Sequence, residues 1–280
     1  MLIRCWGSRG SIPVSGKDYI KYGGDTTCVE VISNSGDLII IDAGTGIRRL
    51  GKRLVAEGQR KMHLLLTHGH WDHLSGFPFF KPIYRKESEI KIYGPETTQD
   101  SLKKIISKTM TAPNFPVEFE DINADISFLG MGPKSYSIGS VNISTIPLSH
   151  PNHGLGYKLE EDGRSFVFLT DNELAFRHPF GVGYDDYKRF CEKADLLFHD
   201  AEYKKEEYES ETRGWGHSTY LDTLDLAIGS GVKRLGLFHQ NQDRTDAQVD
   251  EIVRECKEVI KKKGSSLECF AVAAGTEVSL

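Results

Sequence analysis

Apolar residues recur along the chain in short runs or strict alternation, a spacing that predicts strands. The first series is Leu2–Trp6, Thr27–Ser33, Leu38–Asp42, His63–Thr67 and Ile90–Tyr93. The second is Val141–Pro147, Gly156–Glu160, Ser165–Thr170, Leu196–His199, Leu235–His239 and Leu267–Ala273. Two stretches carry a helical period instead. Over Thr245–Lys263, the residues Val249, Ile252, Val253, Cys256, Val259 and Ile260 keep an i, i+3, i+4, i+7 stripe. Thr245 or Asp246 offers its cap and Gly264 its stop. The other helix starts at Ser218 or Thr219 and runs through Leu221, Leu224, Ala227 and Ile228 to Gly229. In each half strands come first and helices later, which suits two facing sheets with helices outside. The least regular stretch, Lys108–Asp125, contains proline, Phe115 and Phe119. It reads as a plain surface loop or as a wall over a site.

Length and composition narrow this picture modestly. A chain of 280 residues can bury one large core, and residues 1–280 read as a single domain with no linker or repeat. A net charge of −5 argues against broad electrostatic gripping of nucleic acid. No apolar stretch is long enough to span a bilayer, so no membrane partner is expected. The five cysteines, Cys5, Cys28, Cys191, Cys256 and Cys269, are scattered, odd in number and without a Cys-x-x-Cys pair. They read as reduced core residues, and the expected compartment is cytoplasmic.

The candidate chemistry is concentrated after the apolar run His63-Leu64-Leu65-Leu66. There the chain reads Thr67-His68-Gly69-His70-Trp71-Asp72-His73, three imidazoles and a carboxylate in six positions. These are ligand types for zinc, iron or manganese, and burying them together without a metal would be costly.

This His-x-His-x-Asp-His tetrad resembles the founding motif of the metallo-β-lactamase-fold hydrolases. The resemblance implies an α/β fold, a four-layer αββα sandwich with two divalent metal ions between its sheet edges. It implies three further ligands at downstream strand ends. Leu148-Ser149-His150, followed by Gly156-Tyr157, matches the first of these, with His153 as the rival to His150. Thr170-Asp171 matches the bridging carboxylate, and His239, after Leu235–Phe238, the last ligand. One metal would take His68, His70 and His150, and the other Asp72, His73 and His239, with Asp171 between them. Zinc suits this set, and manganese or iron use the same donors. Asp42 matches a residue that braces the His-rich loop without touching metal. His63 and His178 lack such context and read as a satisfied core residue and a surface loop residue.

Within that family the chain resembles the ribonuclease Z-like and cyclic-nucleotide phosphodiesterase-like branch. His199-Asp200-Ala201-Glu202 is similar to the branch's His-Glu-Ala-Thr motif, with Asp for Glu, and Gly216-His217-Ser218-Thr219 to its His-Ser-Thr loop. The turns Gly7-Ser8-Arg9-Gly10-Ser11-Ile12-Pro13 and Tyr22-Gly23-Gly24-Asp25-Thr26-Thr27-Cys28 resemble its N-terminal signatures and read as tight turns whose N–H groups can meet an anion. The resemblance implies a phosphodiesterase in which a metal-bridging hydroxide is the nucleophile, Asp72 belongs to the catalytic centre, and His217, held by Asp200, protonates the leaving oxygen. Bacterial ribonuclease Z carries a tRNA-gripping arm between its third-motif His and its bridging Asp. Here only the 20 residues 151–170 lie between His150 and Asp171. The expected substrate is therefore a small, nucleotide-derived phosphodiester such as a cyclic nucleotide. By analogy the chain would form a homodimer. A tRNA 3′-processing-type endonuclease, a lactone or thioester hydrolase, and a metal-binding sensor without turnover are the remaining readings.

Overall fold

A computed structural model describes residues 1–95, 101–132 and 134–280. Among the described residues the eleven apolar runs pair, together with three strands that pattern did not show, into two sheets of seven strands each. The first holds β1 (Leu2–Gly7), β2 (Cys28–Ile32), β3 (Leu38–Ile41), β4 (Lys61–Leu65), β5 (Glu89–Pro95), β6 (Asp125–Met131) and β14 (Glu277–Ser279), in the order β14-β1-β2-β3-β4-β5-β6. The second holds β7 (Ser135–Ile138), β8 (Val141–Pro147), β9 (Leu155–Glu161), β10 (Arg164–Leu169), β11 (Leu196–Asp200), β12 (Arg234–Phe238) and β13 (Glu268–Ala271), in reverse order from β13 to β7. β3 to β6 are parallel, as are β10 to β13. The strands before each parallel set run as antiparallel meanders.

Both faces of the central strands are covered. Ile39 and Ile41 of β3 face Phe166, Phe168, Phe198 and Phe238 of the other sheet in an inner core. Leu38 and Ile40 instead meet Ile47, Leu50 and Leu54 of α1 (Ile47–Ala56). Likewise Val167 and Leu169 of β10 turn outward beneath α4 (Tyr220–Gly229) and α5 (Asp246–Lys262), which bury Leu224, Ala227, Ile252, Cys256 and Ile260. Continuous apolar runs are thus explained by strands buried on both sides. The layers are helix, sheet, sheet, helix. Thr219 and Thr245 cap α4 and α5 through their side-chain oxygens, and Gly264 continues past α5 at φ +61.

The segment Lys108–Asp125 is not a bare loop. Met110 and Phe119 are buried in the outer core, and Phe115 packs edge-on against Phe79. Before it, α3 (Leu102–Ser107) lies against the His-rich loop, with Ile105 beside Gly69. Among the described residues no helix is long and apolar enough to cross a membrane.

Candidate metal centre

The carboxyl ends of β3, β4, β10, β11 and β12 all open on one edge between the sheets, and the polar cluster lies there. β4 delivers Thr67 and His68. A single turn, α2 (Trp71–Leu74), then carries Asp72 and His73, with His70 at its N-cap. At the end of β3, Asp42 is fully buried at φ +62. Its carboxylate accepts from Thr67 N, from Thr67 Oγ1 and from His73 Nδ1, each at 2.7 Å. With Nδ1–H committed to Asp42, the Nε2 of His73 faces the cluster.

Seven side chains converge. Donor atoms of His68, His70, His150 and Asp171 lie within 4.8 Å of one another, and so do those of Asp72, His73, Asp171 and His239. His150 Nε2 is 3.0 Å from His70 Nδ1. His73 Nε2 and His239 Nε2 approach Asp72 Oδ2 at 3.2 and 3.1 Å. Asp171 lies between the groups, with Oδ2 3.2 Å from His73 and Oδ1 3.7 Å from His68 and 3.4 Å from His239. His153 joins neither group. It is half-buried at φ +72 with its ring edge-on to Phe180. Asp171 and His239 sit at φ +57 and +55, so three of the strand-end residues adopt left-handed backbone.

The donor set fits divalent cations. His68 Nε2 and His73 Nε2 are buried and have no hydrogen-bond partner, an arrangement that needs an explanation such as a bound ion. Burial drives the pKa of His68 well down and pushes that of His150 to about 3, which leaves both as neutral lone-pair donors. On the other side burial works against charge on His73 and His239, but Asp72 and Asp171 outweigh it and raise both. A field that draws protons to those rings draws cations equally.

The N-terminal turn closes one side. Ser11 N donates to Asp72 Oδ2 at 2.9 Å, so the anion met by this turn is the protein's own carboxylate. Gly10 leaves room for the His239 ring. Fully buried Arg9 ties this turn to the loop after His239, donating to the carbonyls of Gly23, Asn241 and Arg244 at 3.0, 3.1 and 2.9 Å.

The loop bearing His217 closes the other side. Gly216, at φ +99, accepts from His150 Nδ1 at 2.9 Å through its carbonyl and has no room for a Cβ against that ring. Glu173, buried, takes the N–H groups of Gly214 and Gly216 at 2.7 and 2.8 Å, Tyr208 OH at 2.6 Å and His178 Nε2 at 2.9 Å. His178, read above as a surface residue, is therefore a buried member of this network. His63 is half-buried on β4 and pairs with Tyr93 OH at 2.9 Å.

His217 stacks on His239 with ring centroids 4.7 Å apart, and its Nε2 is 4.0 Å from Asp171 Oδ1. Its Nδ1 lies 3.7 Å from Asp200 Oδ2 and 3.4 Å from Glu202 Oε2. Burial disfavours the imidazolium, but Glu202, Asp200 and Asp171 raise its pKa to about 9. Asp200 itself accepts Asn172 N at 3.0 Å and Ser218 N at 2.8 Å, joining the Asp171 and His217 loops. Neither Glu202, quoted above only as part of a motif, nor Glu173 is among the expected site residues. The first stands where the resembled motif has Thr, and the second follows Asp171-Asn172 in what reads as a turn.

Comparison with known proteins follows the same lines. Residues 38–240 match the family model described as beta-lactamase superfamily domain. The ribonuclease Z of Haloarcula marismortui is 26% identical over 302 aligned positions, covering 92% of this chain and 91% of the relative. The metallo-beta-lactamase fold protein YhfI from Bacillus subtilis superposes with a TM-score of 0.72 at 16% identity, over 99% of this chain and 98% of that one. The short form of human tRNase Z superposes at 0.64 and 20% identity, over 100% and 99%. These relatives overturn the small, nucleotide-derived ligand expected above. The chain does turn from β9 directly into β10 where an arm would be inserted, but the similarity to a ribonuclease runs through almost the whole chain. The missing insertion removes one grip and is no index of substrate size.

Proposed function

The chain belongs to the beta-lactamase superfamily, and from that premise we propose that it is a dinuclear metal-dependent phosphodiesterase acting on RNA. His68, His70 and His150 would hold one divalent ion and Asp72, His73 and His239 the other, with Asp171 shared. Such a pair clamps phosphoryl oxygens and acidifies a bound water. Everything else falls to the chain. Asp42 and Ser11 N keep His73 and Asp72 aimed inward. Gly216 and Glu173 fix the loop that carries the acid. His217, with Glu202 and Asp200 beside its Nδ1, would hold a proton beside the cluster and deliver it from Nε2 to the departing ribose oxygen.

The placement of that imidazole carries the reading: it stacks on His239, its Nε2 faces Asp171, and two carboxylates stand beside its Nδ1. An alkoxide leaving a phosphodiester is a poor leaving group and needs a proton, whereas a thioester hydrolase on the same metals expels a thiolate and does without this residue. The rim supports an RNA substrate. Trp71 and Trp215, 70% and 60% exposed, lie within two residues of Asp72 and His217. Planar faces of this kind stack bases without demanding net positive charge.

The test compares wild type and His217→Ala on an RNA oligonucleotide, an aryl phosphodiester, a lactone and a thioester. RNA cleavage is expected, with kcat falling about 10²- to 10⁴-fold in the variant and the aryl ester losing less. Turnover of the lactone or thioester alone, with His217→Ala silent, would refute the proposal.

A further inference from the structure

We propose that Glu202 is a positioning residue that couples His239 to His217 through a single carboxylate oxygen. The proposal rests on the phosphodiesterase reading and deepens it. Glu202 is 2% exposed, at the start of the chain leaving β11. Its Oε2 lies 2.9 Å from His239 Nδ1 and 3.4 Å from His217 Nδ1. The two rings are stacked with an interplanar angle of 19°, so both Nδ1 edges face the same oxygen. Oε1 is held separately by Asn241 Nδ2 at 3.1 Å, and the backbone carbonyl by Arg244 Nη2 at 3.3 Å. The carboxylate is thus fixed before it meets either ring.

Asp200 is poorly placed for the same task. Each of its oxygens already accepts a backbone N–H, and it stands farther from His217 than Glu202 does. Its work is to pin two loops. His217 Nδ1 is buried and makes no hydrogen bond, Glu202 Oε2 is the nearest carboxylate oxygen to it at 3.4 Å, and a carboxylate buried there without a proton to accept would be costly. With Nδ1–H of His239 donated to Glu202, its Nε2 lone pair points at Asp72 and Asp171. With Nδ1–H of His217 directed to the same oxygen, Nε2 is left to face Asp171 and the substrate side. One side chain therefore sets the tautomer of a ligand and the aim of an acid together.

The same three residues also lie close enough to hold an ion of their own, and metal stoichiometry separates the two assignments. Wild type, Glu202→Gln, Asp200→Asn and His217→Ala are loaded with zinc or manganese. The readouts are ions bound per chain, metal affinity by chelator competition, and kcat on RNA and on an aryl phosphodiester at saturating metal. Glu202→Gln is expected to weaken metal binding about 10- to 100-fold and also to lower the RNA-to-aryl kcat ratio at least tenfold. His217→Ala is expected to lower the ratio alone. Should Glu202→Gln not fold, Glu202→Asp carries the test, with smaller losses in both readouts. Unchanged metal affinity in the Glu202 variants, an unchanged ratio, or three ions per chain would overturn the proposal. If His217→Ala itself leaves the ratio unchanged, the phosphodiesterase reading fails instead, and the metal affinities still report whether Glu202 positions His239.

Discussion

Gly10→Ala isolates a single contact. The backbone at Gly10 is outside the left-handed region, so alanine adds one methyl group without backbone strain. That methyl would overlap Nδ1 and Cε1 of His239 and lie 3.0 Å from its Cγ. The ring has little freedom to yield. It is held by Glu202 at 2.9 Å, stacked on His217, and aimed at Asp72 at 3.1 Å. Restoring an ordinary carbon contact requires a retreat of roughly 1 Å, whereas metal–ligand distances tolerate about 0.2 Å. Loss of one well-placed ligand should therefore lower metal affinity at least tenfold, about 1.4 kcal/mol. Overpacking should cost a further 1–3 kcal/mol, roughly, in the metal-free protein. Chelator competition measures the first and urea unfolding the second. Gly132→Ala, where no described residue beyond the chain neighbours lies within 4 Å of the added methyl, is the control. Two ions bound at wild-type affinity in Gly10→Ala would refute the placement of His239.

Asp42→Asn keeps a residue that tolerates φ +62 but loses an acceptor shared by Thr67 and His73. It should weaken metal binding about 10- to 100-fold, and unchanged affinity would remove Asp42 from any bracing role. The five cysteines are buried, and burial pushes the Cys5 and Cys191 thiols up to about 12. A disulfide reagent at neutral pH should label none in the native protein and all five after denaturation; rapid native labelling would contradict the packing. Asp195 pairs with Lys233, Ser165 N and Arg164 at 2.7, 2.9 and 3.1 Å. Burial opposes its charge, but these partners hold its carboxyl below the usual 3.8. Its contribution is present above that value and lost as pH falls through the lower folded one. Asp195→Asn should thus lower the urea midpoint at pH 6, with the gap to wild type closing below about pH 4. A gap independent of pH would show that the charge is not what matters.

Much of the arrangement was legible because chemistry and pattern coincide. His68 to His73 follow an apolar run with no other explanation for so many ligands, and Asp171 and His239 close strands that read as plain apolar runs. What stayed hidden depends on tertiary context. β6 alternates exposed Asp125, Ser127 and Leu129 with partly buried residues at a sheet edge, and β14 has three residues, so neither gives a strong period. α1 carries Gly51 in its interior, which sequence reasoning counts against a helix, yet there the missing side chain admits Phe80. Glu173 and Glu202 are hardest to foresee, since a glutamate is ordinarily a solvated surface residue. Only the fold shows the N–H groups that surround each one.

Asp42, Asp171 and His239 hold left-handed backbone that glycine or asparagine would occupy at lower cost. Each conformation costs of order 1 kcal/mol or more. At Asp42 the three hydrogen bonds to its carboxylate outweigh that strain, but at Asp171 and His239 selection for thermal stability alone, blind to turnover, would relieve it only by removing a ligand. A variant library screened without metal is expected to accumulate glycine or asparagine at these sites, whereas one screened with metal present retains the side chains. Here the fold is less stable than it could be, by an amount that measures how strongly function has been selected over stability.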